Sequence, residues 1–147
     1  MSSFKSKAYK LATSRRKSRE LALQILYQME FTNQRVKEVV PLFFTHLASH
    51  KPVDDFANRL VQGVGHYQGE IDQLLKDYSE HWALKRLSSV DRNILRIGIF
   101  EILWCKDIPS KVSINEAIEL GKKFGTEKSA SFINGILDKI AHSEKQK

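Results

Sequence analysis

The densest chemistry in the chain lies near its start, in Ser14-Arg15-Arg16-Lys17-Ser18-Arg19. Guanidinium groups are planar and permanently charged, so they grip phosphates bidentately and stack on bases, which suits contact with single-stranded RNA. Residues 1–19 hold Lys5, Lys7, Lys10, Arg15, Arg16, Lys17 and Arg19, and no Asp or Glu. That leaves 17 of the 24 Lys and Arg for the remainder, equal to its 17 acids, so the net charge of +7 sits at one end. Such asymmetry points to a polyanion-binding end on an electrically balanced body. The plainer alternative is a solvated charged end. Charge alone does not choose RNA over DNA.

Signatures of catalysis are missing: no glycine-rich phosphate loop, GxSxG, HExxH or CxxC occurs. His46 and His50 stand at i, i+4, a spacing that presents two imidazoles to a metal, but the segment lacks a third ligand nearby. They read better as helix histidines. Asp54 and Asp55 read as first-turn acids favoured by a helix dipole rather than an acid–base pair. Cys105, the single cysteine, lies among large apolar residues and reads as buried and inert. The expectation is a non-enzyme with no cofactor and no metal.

These groups need elements to hold them. The 147 residues, 41% hydrophobic, suffice for one core. Three prolines, seven glycines and apolar spacing of three and four predict an all-α fold of about seven helices. Residues 1–13 are expected as a basic flexible tail, and 14–147 as a single helical domain. Ser14 would cap a first helix ending near Asn33, with Leu21, Ala22, Ile25, Leu26 and Met29 as core stripe. Cations at such a junction oppose the helix dipole, which suggests a task elsewhere. A second helix is expected over about Val36–Ser49. A long third starts at Asp54 or Asp55 and ends near Tyr78. A short one covers Trp82 to Leu87.

Ser88 to Asp91 has capping-box spacing and opens a helix to about Trp104 that is apolar nearly all round, so it belongs in the middle of a bundle. Ser113-Ile114-Asn115-Glu116 predicts another capping box, for a helix stopping at Gly125, and Thr126 would cap the last. No apolar run approaches bilayer length, and the basic start lacks the apolar segment of a secretory signal. A cytoplasmic location without membrane contact is expected.

The first helix carries a second feature. At about 100° per residue, Arg16, Glu20, Leu23 and Tyr27 share the side opposite the core stripe. A leucine and a tyrosine there fit either packing on another helix of this chain or a face for a partner protein, where tyrosine is a favoured anchor.

Four segments in order resemble the NusB family. They are Arg19-Glu20-Leu21-Ala22-Leu23-Gln24-Ile25-Leu26-Tyr27, then Trp82-Ala83-Leu84-Lys85-Arg86-Leu87-Ser88-Ser89-Val90-Asp91-Arg92-Asn93-Ile94-Leu95-Arg96, then Ile114-Asn115-Glu116-Ala117-Ile118-Glu119-Leu120 and Phe132-Ile133-Asn134-Gly135-Ile136-Leu137-Asp138. Together they span about Arg15 to Ile140; Leu42 through Pro52 departs from the pattern. The resemblance implies a compact bundle of two packed helical subdomains. It also implies transcription antitermination. NusB-like proteins pair with NusE, a small-subunit ribosomal protein, bind boxA RNA, and help the RNA polymerase complex read through terminators, notably in ribosomal RNA operons.

Carried over by position, the resemblance implies RNA contacts at Arg15, Arg16, Lys17 and Arg19, and at Lys128 and Phe132 near the last helix start. Phe132 fits a core aromatic equally well. The NusE face would include Tyr27 and Asp91, with Glu20 and Leu23 on the same helix flank as Tyr27. Family members occur as monomers and homodimers, and both states remain open here. Two other readings stand beside this one. Some RNA cytosine methyltransferases carry a NusB-like domain, but they need a Rossmann-type domain whose glycine-rich turn is absent from these residues. A helical adaptor without RNA contact is the other. If five to seven cations meet phosphates, the log-log salt slope on single-stranded RNA will be about −3.5 to −5, so affinity will fall by roughly two to three decades between about 50 and 200 mM salt. A nearly flat titration would exclude the electrostatic reading.

Overall fold

The computed structural model describes residues 2–32, 55–79 and 87–144, with side chains in the first stretch described from Arg15 onward. Its elements are α1 (Ser2–Thr32), α2 (Asp55–Tyr78), α3 (Ser89–Trp104), α4 (Ser110–Phe124) and α5 (Ser129–Glu144). No strand occurs among the described residues, and the all-α expectation holds. The helix expected over 36–49, with His46 and His50, lies outside the described residues, as do Asp54 and positions 82–86 of the short helix. Two compact units divide the chain, Met1–Val61 and Gln62–Lys147, with the boundary inside α2.

In the first unit, α1 begins at Ser2 rather than Ser14. Residues 2–13 contain no proline or glycine to stop a helix, and their lysines and alanine are good helix formers, so the backbone is helical well before the expected cap. Arg15–Arg19 therefore sit beyond the first turns of the helix, outside the range where its terminal dipole acts. The expected conflict with that dipole does not arise. Ala22, Ile25 and Leu26 are buried as expected, and Phe56, Ala57, Leu60 and Val61 at the start of α2 are buried too.

The second unit is built around α3, whose residues Asn93 through Ile102 are all buried. α3, α4 and α5 pack against one another pairwise. Ser88 caps α3, its hydroxyl accepting from the Asp91 backbone N–H at 3.0 Å. The second expected capping box is not used. α4 starts earlier, after Pro109, without a side-chain cap. Ser113, 1% exposed, instead donates to Glu101 Oε1 at 2.8 Å, because the carboxylate of Glu101 is also 1% exposed and needs a donor. Arg96 is likewise committed inward, with Nε and Nη2 on the two oxygens of Asp72 at 2.8 and 2.9 Å and Nη1 on Asn93 Oδ1 at 3.1 Å. Gly125 ends α4 with φ −94°, so a left-handed turn is not its reason. A Cβ there would collide with Ser129 Oγ, which accepts from the Thr126 N–H at 2.9 Å as α5 begins.

α2 leaves helical geometry at Tyr67 (φ −101°, ψ 16°). The Tyr67 ring stacks on Trp104 with centroids 4.0 Å apart and planes 11° from parallel. Gly63, one turn earlier, lets α2 approach so closely that a Cβ would fall within the Phe100 ring. Overpacking outweighs propensity at this position. Alanine gains about 1 kcal/mol over glycine in a helix, but an overfilled core costs about 1–3 kcal/mol, and Phe100 has little room to shift. We expect Gly63→Ala to lower the denaturation midpoint and Phe100→Leu to restore part of it in the double variant. A more stable Gly63→Ala protein would show that the two helices part freely.

Candidate nucleic-acid interface

The four cations expected to meet RNA divide into two kinds. Arg16 and Lys17 are exposed, and Arg15 is half-buried. Arg19 is only 3% exposed, an interior group rather than the surface contact expected. Both Arg15 and Arg19 lie on Phe56, their guanidinium carbons 4.7 and 5.0 Å from its ring centroid. Spacing of i, i+4 puts them one above the other on α1. An aromatic face is a favourable seat for a cation removed from water.

The flank expected to meet a partner also divides. Tyr27 is 39% exposed and Glu20 half-buried, whereas Leu23 is 4% exposed. Leu23 therefore serves the interior, the alternative left open by its helical position. The buried arc of α1 includes Ser18, Arg19, Ala22, Leu23, Ile25 and Leu26, which spans about 40° to 200° from Leu21 at 100° per residue. It is wider than the expected apolar stripe because Arg19 and Leu23, near 160° and 200°, are buried beyond the stripe's edge. Phe31, 74% exposed, was missed by sequence reading. Its ring lies 5.2 Å from that of Tyr27, tilted by 45°, so the two form one exposed aromatic pair. An i, i+4 count beyond Tyr27 finds it.

In the other unit, Lys128 is exposed at the start of the last helical segment, and its backbone N–H donates to Thr126 Oγ1 at 3.3 Å. Phe132 is half-buried. The last turn of α4 adds exposed Lys122 and Lys123, with Lys123 Nζ 5.4 Å from the centroid of Phe124, itself 36% exposed. Lys122 also reaches Glu119 at 3.5 Å, an exposed pair of small energetic weight. Cations suit this helix C-terminus, where the carbonyl end of the dipole is negative.

Asp91 opens α3, and its backbone N–H rather than its carboxylate serves the cap. Its Oδ1 is buried without a hydrogen-bond partner among the described residues. The neighbouring Arg92 donates from Nη1 to the Leu87 carbonyl at 2.7 Å. Burial, and then the charge of Arg96, hold the Arg92 guanidinium below its ordinary pKa. Among the described residues no group of three or more His, Cys, Asp or Glu is placed to hold a metal.

The sequence matches the NusB family over residues 16–142. It is 47% identical over 132 residues to the transcription antitermination protein NusB of Myxococcus xanthus (strain DK1622), covering 87% of this chain and 94% of that protein. Among solved structures, NusB of T. maritima is similar with a TM-score of 0.79 and 39% identity, over 88% of this chain and 91% of that one. A chain in the crystal structure of antitermination factors NusB and NusE in complex with dsRNA is similar with a TM-score of 0.78 and 26% identity, covering 89% and 98%. Coverage and identity of this extent leave one assignment: the chain belongs to the NusB family.

Proposed function

We propose that this chain is a transcription antitermination factor that binds boxA-type single-stranded RNA together with NusE and joins the RNA polymerase antitermination complex in ribosomal RNA operons. The observation that carries the RNA reading is the exposure of Arg16 and Lys17 on α1, within a stretch of seven cations and no acids. A family relative crystallised with NusE and dsRNA supports the same partners. The family consists of antitermination factors rather than enzymes.

Arg15, Arg16 and Lys17 would contact phosphates, with residues 1–13 as a basic extension of the domain 14–147. Lys128 and Phe132 would supply a second contact, the half-buried ring offering part of its face to a base. Arg19, 3% exposed, would support the α1 patch from the interior. For NusE, exposed Tyr27 with Phe31 beside it is the anchor, and Glu20 and Asp91 supply charge. No helix among the described residues is long and apolar enough to cross a membrane, and we place the protein in the cytoplasm.

Arg16→Ala should lower affinity for boxA-type RNA and reduce the steepness of the salt slope by about 0.7, the contribution of one phosphate contact on a single strand. Anisotropy titrations at several salt concentrations, with a duplex of the same sequence alongside, measure this. An unchanged slope would remove Arg16 from the interface. Tyr27→Ala should weaken NusE binding by about 2 kcal/mol, roughly thirtyfold, as expected for a tyrosine anchor. Asp91→Ala should also weaken it, while Ser88 continues to accept from the residue-91 N–H. Calorimetric titration with NusE checks both, and wild-type affinity in both variants would relocate the partner face.

A further inference from the structure

We propose that Phe56 is a positioning residue for nucleic-acid binding, its ring holding the Arg15 guanidinium ready to meet a phosphate or base. This rests on the RNA-binding reading above and adds to it a residue that touches no RNA. Phe56 is the second residue of α2, 8% exposed, and belongs with Arg15 and Arg19 to the unit Met1–Val61. Two guanidinium groups share its ring, at 4.7 and 5.0 Å.

Like charges one helical turn apart repel, and an aromatic face is the neutral group that offsets this for both at once. A leucine would fill similar space without a π face. Arg19, 3% exposed, is the inner cation of the pair, and Arg15, half-buried, is the outer one. A guanidinium carries five N–H donors, more than contact with one ring can occupy. Contact with the ring also removes side-chain freedom before binding, and that loss no longer has to accompany RNA capture. Phe56 thus acts through Arg15.

The test uses the full chain and labelled boxA-type single-stranded RNA, followed by anisotropy across a salt series. Phe56→Leu should weaken binding about three- to tenfold, the scale of a lost cation–π contact and a freed side chain. Its salt slope should match wild type because no charge is removed. Phe56→Trp should restore affinity. In Arg15→Ala the slope becomes shallower by about 0.7, and adding Phe56→Leu to that variant should weaken binding no further. Arg15→Lys, which keeps the charge but not the plane, should lose affinity like Phe56→Leu, and it serves if Phe56→Leu loses its helical circular dichroism. Wild-type affinity in either Phe56→Leu or Arg15→Lys would overturn the proposal, as would independent, multiplying effects in the double variant. A wild-type chain whose binding ignores salt would instead sink the RNA-binding reading itself.

Discussion

Ten consecutive residues of α3, Asn93 to Ile102, have no solvent face, and a helix so placed must find internal partners for every polar group it carries. Three of the ten are polar. Arg96 reaches across to both oxygens of Asp72 and to Asn93, and Glu101 accepts from Ser113. Asp72 keeps 21% of its side chain exposed, so losing it costs less than the about 3–5 kcal/mol of a fully buried ion pair, yet still a sizeable part of a small domain's net stability. The register between α2 and α3, and between α3 and α4, is therefore set by specific pairings as well as by apolar burial. Burial alone would tolerate neighbouring registers more easily, since it is non-directional.

The same demand explains why capping signals in this chain have more than one outcome. Ser88 lies at an exposed helix start and caps α3 with its hydroxyl. Ser113 has the same residue type and a fuller motif, yet its hydroxyl goes to a carboxylate one helix away. A buried acid lacking a donor loses more than a helix end that water can reach. Local preference yields where a stronger claim is made on the same atom.

On α1 the conflict between interior and surface is resolved within single turns. Arg15 through Arg19 spans exposed cations and an arginine almost wholly enclosed, and Leu23 is buried four residues before exposed Tyr27. One helix thus faces both ways: the arc from Ser18 to Leu26 serves the interior, while Arg16, Lys17, Tyr27 and Phe31 face water. Charge and aromatic surface together suit a protein that meets a polyanion and a second protein on the same element.

Much of this was legible in the residues themselves. Apolar periodicity announced the helical class, the run Ile94–Leu103 announced a central helix, and the gathering of cations at one end was plain, because each is a property of composition along the chain. Four family segments in order carried the rest of the assignment. Tertiary structure alone decided that Arg19 and Leu23 turn inward, that Phe56 seats two guanidinium groups, that Ser113 serves Glu101, and that Phe31 stands beside Tyr27 in water. Periodicity finds the centre of a buried arc, but its width depends on what packs against it. Which polar atom satisfies which partner depends on groups distant in sequence, and no local pattern encodes those distances.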